Sequence, residues 1–95
     1  MNGYNGWTNY ATWRVNLEIF DGILISEWFH PKNGRPDETD VAEHLCGYAE
    51  DLIFLDCPEG LARDYALAFL NDVNWHEIAK HLLDDVEWEE TTLEA

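Results

Sequence analysis

The chain has 95 residues, 46% of them hydrophobic and 14% aromatic, enough for a core in one small domain spanning 1–95 and too much for a disordered acidic tail. Twenty acidic residues stand against five basic ones, a formal net charge of −15 that disfavours direct contact with the phosphates of a nucleic acid. No apolar run is long enough to span a bilayer and no basic-then-apolar leader opens the sequence, so a cytoplasmic location, in a host cell, is expected.

From Thr8 onward, Tyr10, Trp13, Leu17, Phe20 and Leu24 fall within about 80° of one another at 100° per residue. This stripe predicts a helix over 9–21 with Thr8 as its N-cap, broken at Asp21-Gly22 and followed by a short helical piece over 23–29. Residues 30–36, His-Pro-Lys-Asn-Gly-Arg-Pro, are a loop by composition and the most basic spot in the chain. Such a loop can grip an anion, and equally can balance a nearby acidic face.

A second helix over 38–55 is predicted, capped by Asp37 or Thr39, with a core stripe of Val41, Leu45, Tyr48, Leu52 and Leu55. Phe54 falls among the acids on its opposite side if the helix runs that far. Asp56-Cys57-Pro58-Glu59-Gly60 reads as a turn and helix start, with Pro58 at an early helical position. The helix 60–70 that follows is apolar all round its wheel, the mark of a central helix covered by its neighbours. Asn74-Trp75-His76-Glu77 has the spacing of a capping box and opens a helix over 75–86 that buries Trp75, Ile78, Ala79, Leu82 and Val86. Residues 87–95 are expected to be a frayed acidic tail. The predicted fold is all-α, a compact bundle of about four helices.

The strings Asn-Gly-Trp-Thr-Asn-Tyr-Ala-Thr-Trp near the start and Val-Asn-Trp-His-Glu-Ile-Ala-Lys-His-Leu-Leu over 73–83 resemble small uncharacterised proteins of phages and other mobile elements. The resemblance spans most of the chain. It implies a mobile-element origin and a compact helical fold, and brings no catalytic residues.

Catalytic and metal motifs do not assemble. His76 and His81 are five apart, about 140° from one another on a helix, where a shared zinc needs a spacing of four. Cys46 and Cys57 would lie about 16 Å apart along a helix, beyond disulfide reach, and read as reduced thiols. Ser26 is the only serine and lacks a glycine elbow. The expectation is a protein that is not an enzyme and carries no metal or cofactor.

The charge is unevenly placed. Residues 1–36 are neutral, 37–56 hold seven acids and no base, and 84–95 hold six acids and no base. Seven acids over about 30 Å of helix give a charge every 4 Å or so, against about 3.4 Å along one strand of DNA. A net charge of about 2–8 in magnitude suffices for solubility in a small domain. The candidate partner-binding residues are therefore Asp37, Glu38, Asp40, Glu43, Glu50, Asp51, Asp84, Asp85, Glu87, Glu89 and Glu90, with Phe54 and Trp88 as candidate aromatic anchors. With the mobile-element resemblance they suggest a DNA-mimicking inhibitor, an anti-CRISPR or antirestriction protein. Its partner would be a basic nucleic-acid-binding protein of the host, either a CRISPR effector or a restriction enzyme. The alternative is a regulatory module that docks on a host protein through surface aromatics.

Overall fold

The computed structural model describes residues 6–89. Four α-helices carry the fold, and no strand occurs among the described residues. They are α1 (Tyr10–Val15), α2 (Glu38–Asp56), α3 (Leu61–Leu70) and α4 (Trp75–Asp84). Helix α1 continues without a break into a π-helical turn, Asn16–Phe20, and single 3-10 turns lie at Ile25–Glu27 and Pro31–Asn33. The core is laid mainly between α2 and α4. Phe20, Ile25, Val41, Leu45, Ile78 and Leu83 are its largest fully buried apolar side chains. Among the described residues no helix is long and apolar enough to cross a membrane.

The first helix is capped by Asn9 rather than Thr8. Asn9 Oδ1 accepts from the Thr12 N–H at 2.9 Å and from the Thr12 hydroxyl at 2.7 Å, while its Nδ2 donates to the Asp72 carbonyl at 2.9 Å. Thr12 Oγ1 in turn accepts from the Asn74 N–H at 2.8 Å. These polar ties hold the small-residue side of α1 inward, so Ala11, Thr12 and Val15 are buried while Tyr10 and Leu17 are exposed. The stripe expected from side-chain size therefore points the wrong way. Only Phe20 of its five members is buried, and the π turn is the reason. Its i→i+5 bonding winds less tightly than an α-helix, and the accumulated lag swings Phe20 from the outer side to the core. There its ring meets Trp75 edge-on at 6.3 Å and Tyr48 at 6.1 Å. Gly22, at φ +88°, ends the segment where the Asp21-Gly22 break was expected, and Leu24 beyond it is exposed.

Helix α2 runs one residue past its predicted end. Asp37 caps it by accepting from the Thr39 N–H in a long bond of 3.4 Å. Its buried side begins as expected with Val41 and Leu45, then turns through Ala42 and Ala49 toward Ile53. Leu55, expected in the core, is 82% exposed. Small Ala side chains let α4 approach more closely than a row of Leu would.

Helix α3 departs furthest from expectation. Pro58 precedes it, Gly60 at φ +150° leads in, and of its own residues only Leu70 is buried. It is a peripheral helix, not a central one.

Helix α4 starts where Asn74 Oδ1 accepts from the Glu77 N–H at 3.1 Å. The reciprocal half of the capping box does not form. Glu77 Oε1 accepts instead from the Thr8 N–H at 3.0 Å, and the Asn74 N–H is taken by Thr12. Ile78, Ala79 and Leu82 are buried as expected, joined by Leu83; the helix stops at Asp84, two residues early. The following residues do not fray at once. Trp88 Nε1 donates to the Leu83 carbonyl at 3.0 Å and the Glu89 N–H to the Pro31 carbonyl at 3.1 Å. Residues 90–95 of the expected tail lie outside the described residues.

Candidate interaction surface

Helix α2 positions the candidate site. Its buried residues fix which side faces α4, and Asp40, Glu43, Glu50 and Asp51 then fall on the opposite, solvent side, within about 100° of one another. All four are exposed, and among the described residues no cation pairs with any of them. From Asp40 to Asp51 the helix rises about 16 Å, which gives roughly one carboxylate per 4–5 Å. Gly47 lies between Glu43 and Glu50 and leaves a notch in the middle of the stripe, edged by Glu43, His44, Tyr48 and Asp51.

The remaining acids of this segment lie off the stripe. Asp37 is spent on the N-cap, and Glu38 is half-buried with an oxygen 3.2 Å from His76 Nδ1. Glu50 accepts from the Cys46 thiol at 3.8 Å; burial and this neighbouring carboxylate push the thiol's pKa up, away from nucleophilic chemistry.

The C-terminal acids are differently placed. Residues 84–95 contain no base, yet Asp84, the last residue of α4, is not left uncompensated. It accepts from Lys80 at 2.9 Å and Arg35 at 3.1 Å, hydrogen bonds that hold its pKa below the ordinary carboxylate range. Arg35 comes from the basic loop, which so far as this pair goes balances an acidic neighbour. Asp85, Glu87 and Glu89 are exposed; Glu90 lies outside the described residues.

The two aromatic candidates part ways. Phe54 is 47% exposed, and the guanidinium of Arg63 sits 4.6 Å from the centre of its ring. Trp88 is half-buried, packed against the core, with its N–H donated to the Leu83 carbonyl. Besides Tyr10, Leu17, Leu24 and Leu55, exposed apolar residues that the sequence does not single out lie on α3: Leu61, Tyr65 and Phe69. The signal for them was the all-round apolar wheel of 60–70, which was read as burial.

His76 and His81 diverge as the wheel required. One meets Glu38, and the other stands edge-on to the Trp7 ring at 5.1 Å. Among the described residues no group of three or more His, Cys, Asp or Glu could hold a metal ion. The cleft beside Trp7 is lined by Glu77, Lys80, His81 and Asp84. Three of those side chains are already committed, Glu77 to Thr8 and Lys80 to Asp84. No family model, curated protein or solved structure matches the chain.

Proposed function

We propose that this protein is a non-catalytic inhibitor that occupies the nucleic-acid site of a basic host protein by presenting the acidic side of α2 in place of phosphates. The observation that carries the reading is the row Asp40, Glu43, Glu50 and Asp51, exposed and without a cationic partner among the described residues. Local helix energetics favour only Asp40, in the first turn of α2; Glu43, Glu50 and Asp51 lie beyond the reach of the terminal dipole and no base pairs with them among the described residues. A row of fixed charges at near-phosphate spacing is attractive to a groove lined with Lys and Arg, and steers encounter with it. The resemblance of the Asn-Gly-Trp-Thr-Asn-Tyr and Asn-Trp-His-Glu-Ile-Ala strings to mobile-element proteins supports a defence protein as target, a CRISPR effector or a restriction enzyme.

The test is competition. Purified CRISPR effectors and restriction enzymes are loaded with labelled nucleic acid, and the protein is titrated in at several salt concentrations. The reading expects displacement of the nucleic acid by at least one target, weakening steeply between about 50 and 200 mM salt as phosphate contacts do. Inhibition that leaves the nucleic acid bound, or that ignores salt, overturns it.

A further inference from the structure

Helix α3 presents its apolar side to solvent. Leu61, Tyr65, Ala68 and Phe69 fall within about 100° of one another on its wheel, all exposed, with Leu61 and Tyr65 at 66% and 69%. Single exposed apolar residues are ordinary, but a row of them on one helix side is not. The row continues into a groove between α3 and the α1–π segment. Val15, Ile19, Ile53, Ala66 and Leu70 line that groove beside Phe69, and the Arg14–Glu18 pair closes one edge. Its volume of about 230 Å³ falls short of the roughly 300–1,000 Å³ of small-molecule sites, and suits a single apolar side chain.

Charge decides the occupant. Asp56 and Glu59 precede the helix, Asp64 flanks the row and Asp72 follows it, all exposed and none in an ion pair among the described residues. The neighbouring cations are already engaged, Arg63 over Phe54 and Arg14 with Glu18 and the Tyr10 hydroxyl. A second copy, related by a two-fold axis, would set this acidic rim against itself. An anionic membrane would be repelled in the same way.

We propose that the α3 row and its groove dock a basic amphipathic helix of a partner protein. The partner's apolar residues, spaced at i, i+3 or i+4, would lie on Leu61, Tyr65 and Phe69 with one in the groove, and its flanking Lys or Arg would meet the acidic rim. From the function proposed above this takes only that the partner is basic; the contact is on a different helix.

The probe is a fluorescein-labelled helical peptide of about 18 residues, Leu and Phe on one side and Lys on the other, with a control in which Glu replaces Lys. Anisotropy is read at about 0.15 M salt, where long-range attraction is screened. The Lys peptide should bind and the Glu peptide should not. The double variant Leu61→Gln/Tyr65→Gln should weaken binding by about tenfold or more while melting like wild type, since both side chains are exposed. The quadruple variant Asp40→Asn/Glu43→Gln/Glu50→Gln/Asp51→Asn should retain most of the peptide affinity. No binding, equal binding of both peptides, or full binding by the α3 double variant overturns the proposal. So does a wild-type dimer, seen by sedimentation, that the double variant dissolves. If only the α2 variant loses the peptide, this proposal fails and the phosphate-mimic reading stands; competition failing while the α3 variant loses the peptide is the reverse case.

Discussion

Replacing Thr12 by Val removes a hydroxyl and keeps the shape. Thr12 is fully buried, and its Oγ1 joins three parts of the chain: it donates to the Asn9 cap and accepts from Asn74 at the start of α4. Two hydrogen bonds at a net of about 0.5–1.5 kcal/mol each give a loss of about 1–3 kcal/mol. For a domain of this size each kcal/mol lowers Tm by about 4–8 °C, so a loss near the middle of that range lowers it by about 8–16 °C. Thr12→Ser keeps both bonds and gives up one methyl, about 0.8 kcal/mol. Urea unfolding followed by tryptophan fluorescence should therefore rank wild type, then Thr12→Ser, then Thr12→Val, with an unchanged m-value. If Val is tolerated as well as Ser, the hydroxyl is not what holds α1 to α4, and the account of why the small side of α1 faces inward is wrong.

Trp88→Ala should cost about 1–3 kcal/mol of stability, through lost packing and the lost bond to Leu83, and should leave partner affinity unchanged; denaturant unfolding and a binding assay on the same sample check both. The lowered Asp84 pKa makes a stability contribution that is present above the ordinary carboxylate value of about 3.9 and lost as pH falls through the lower folded value. Wild type should therefore melt above Asp84→Asn at pH 7, and the two should converge in strong acid; a gap that persists there would mean the Lys80 and Arg35 contacts are not the cause.

Helix positions were legible where short-range chemistry sets them. Asp37, Asn74 and Asp21-Gly22 are cap and stop signals that act within three residues of themselves, and the structure puts helix ends at or beside them. Helix faces were less legible. In α1 the inward side is chosen by Asn9 and Thr12 bonding to residues 72 and 74, more than sixty positions away, and by a π turn that no periodicity reveals. In α3 the apolar wheel was clear, but a wheel cannot say whether neighbours exist to cover it. The acidic stripe of α2 was legible because core periodicity and charge agree there: the side that buries Val41 and Leu45 leaves Asp40, Glu43, Glu50 and Asp51 outside. The compensation of Asp84 was legible only in part: Lys80 stands four residues before it on the same helix, whereas Arg35 lies 49 residues away and meets it only in the folded chain.

The central claim is that the charge of the α2 stripe, and not its shape, engages the target. Asp40→Asn, Glu43→Gln, Glu50→Gln and Asp51→Asn together remove four charges and keep side-chain size on an exposed surface. The measurement is the association rate of this quadruple variant with the protein whose nucleic acid the wild type displaces, alongside a control variant Asp85→Asn/Glu87→Gln/Glu89→Gln. Electrostatic steering can raise association by about 10–10³-fold, so the α2 variant should bind at least about tenfold more slowly with an unchanged helical spectrum, and the control should be affected less. A quadruple variant that associates and inhibits like wild type would contradict the claim outright.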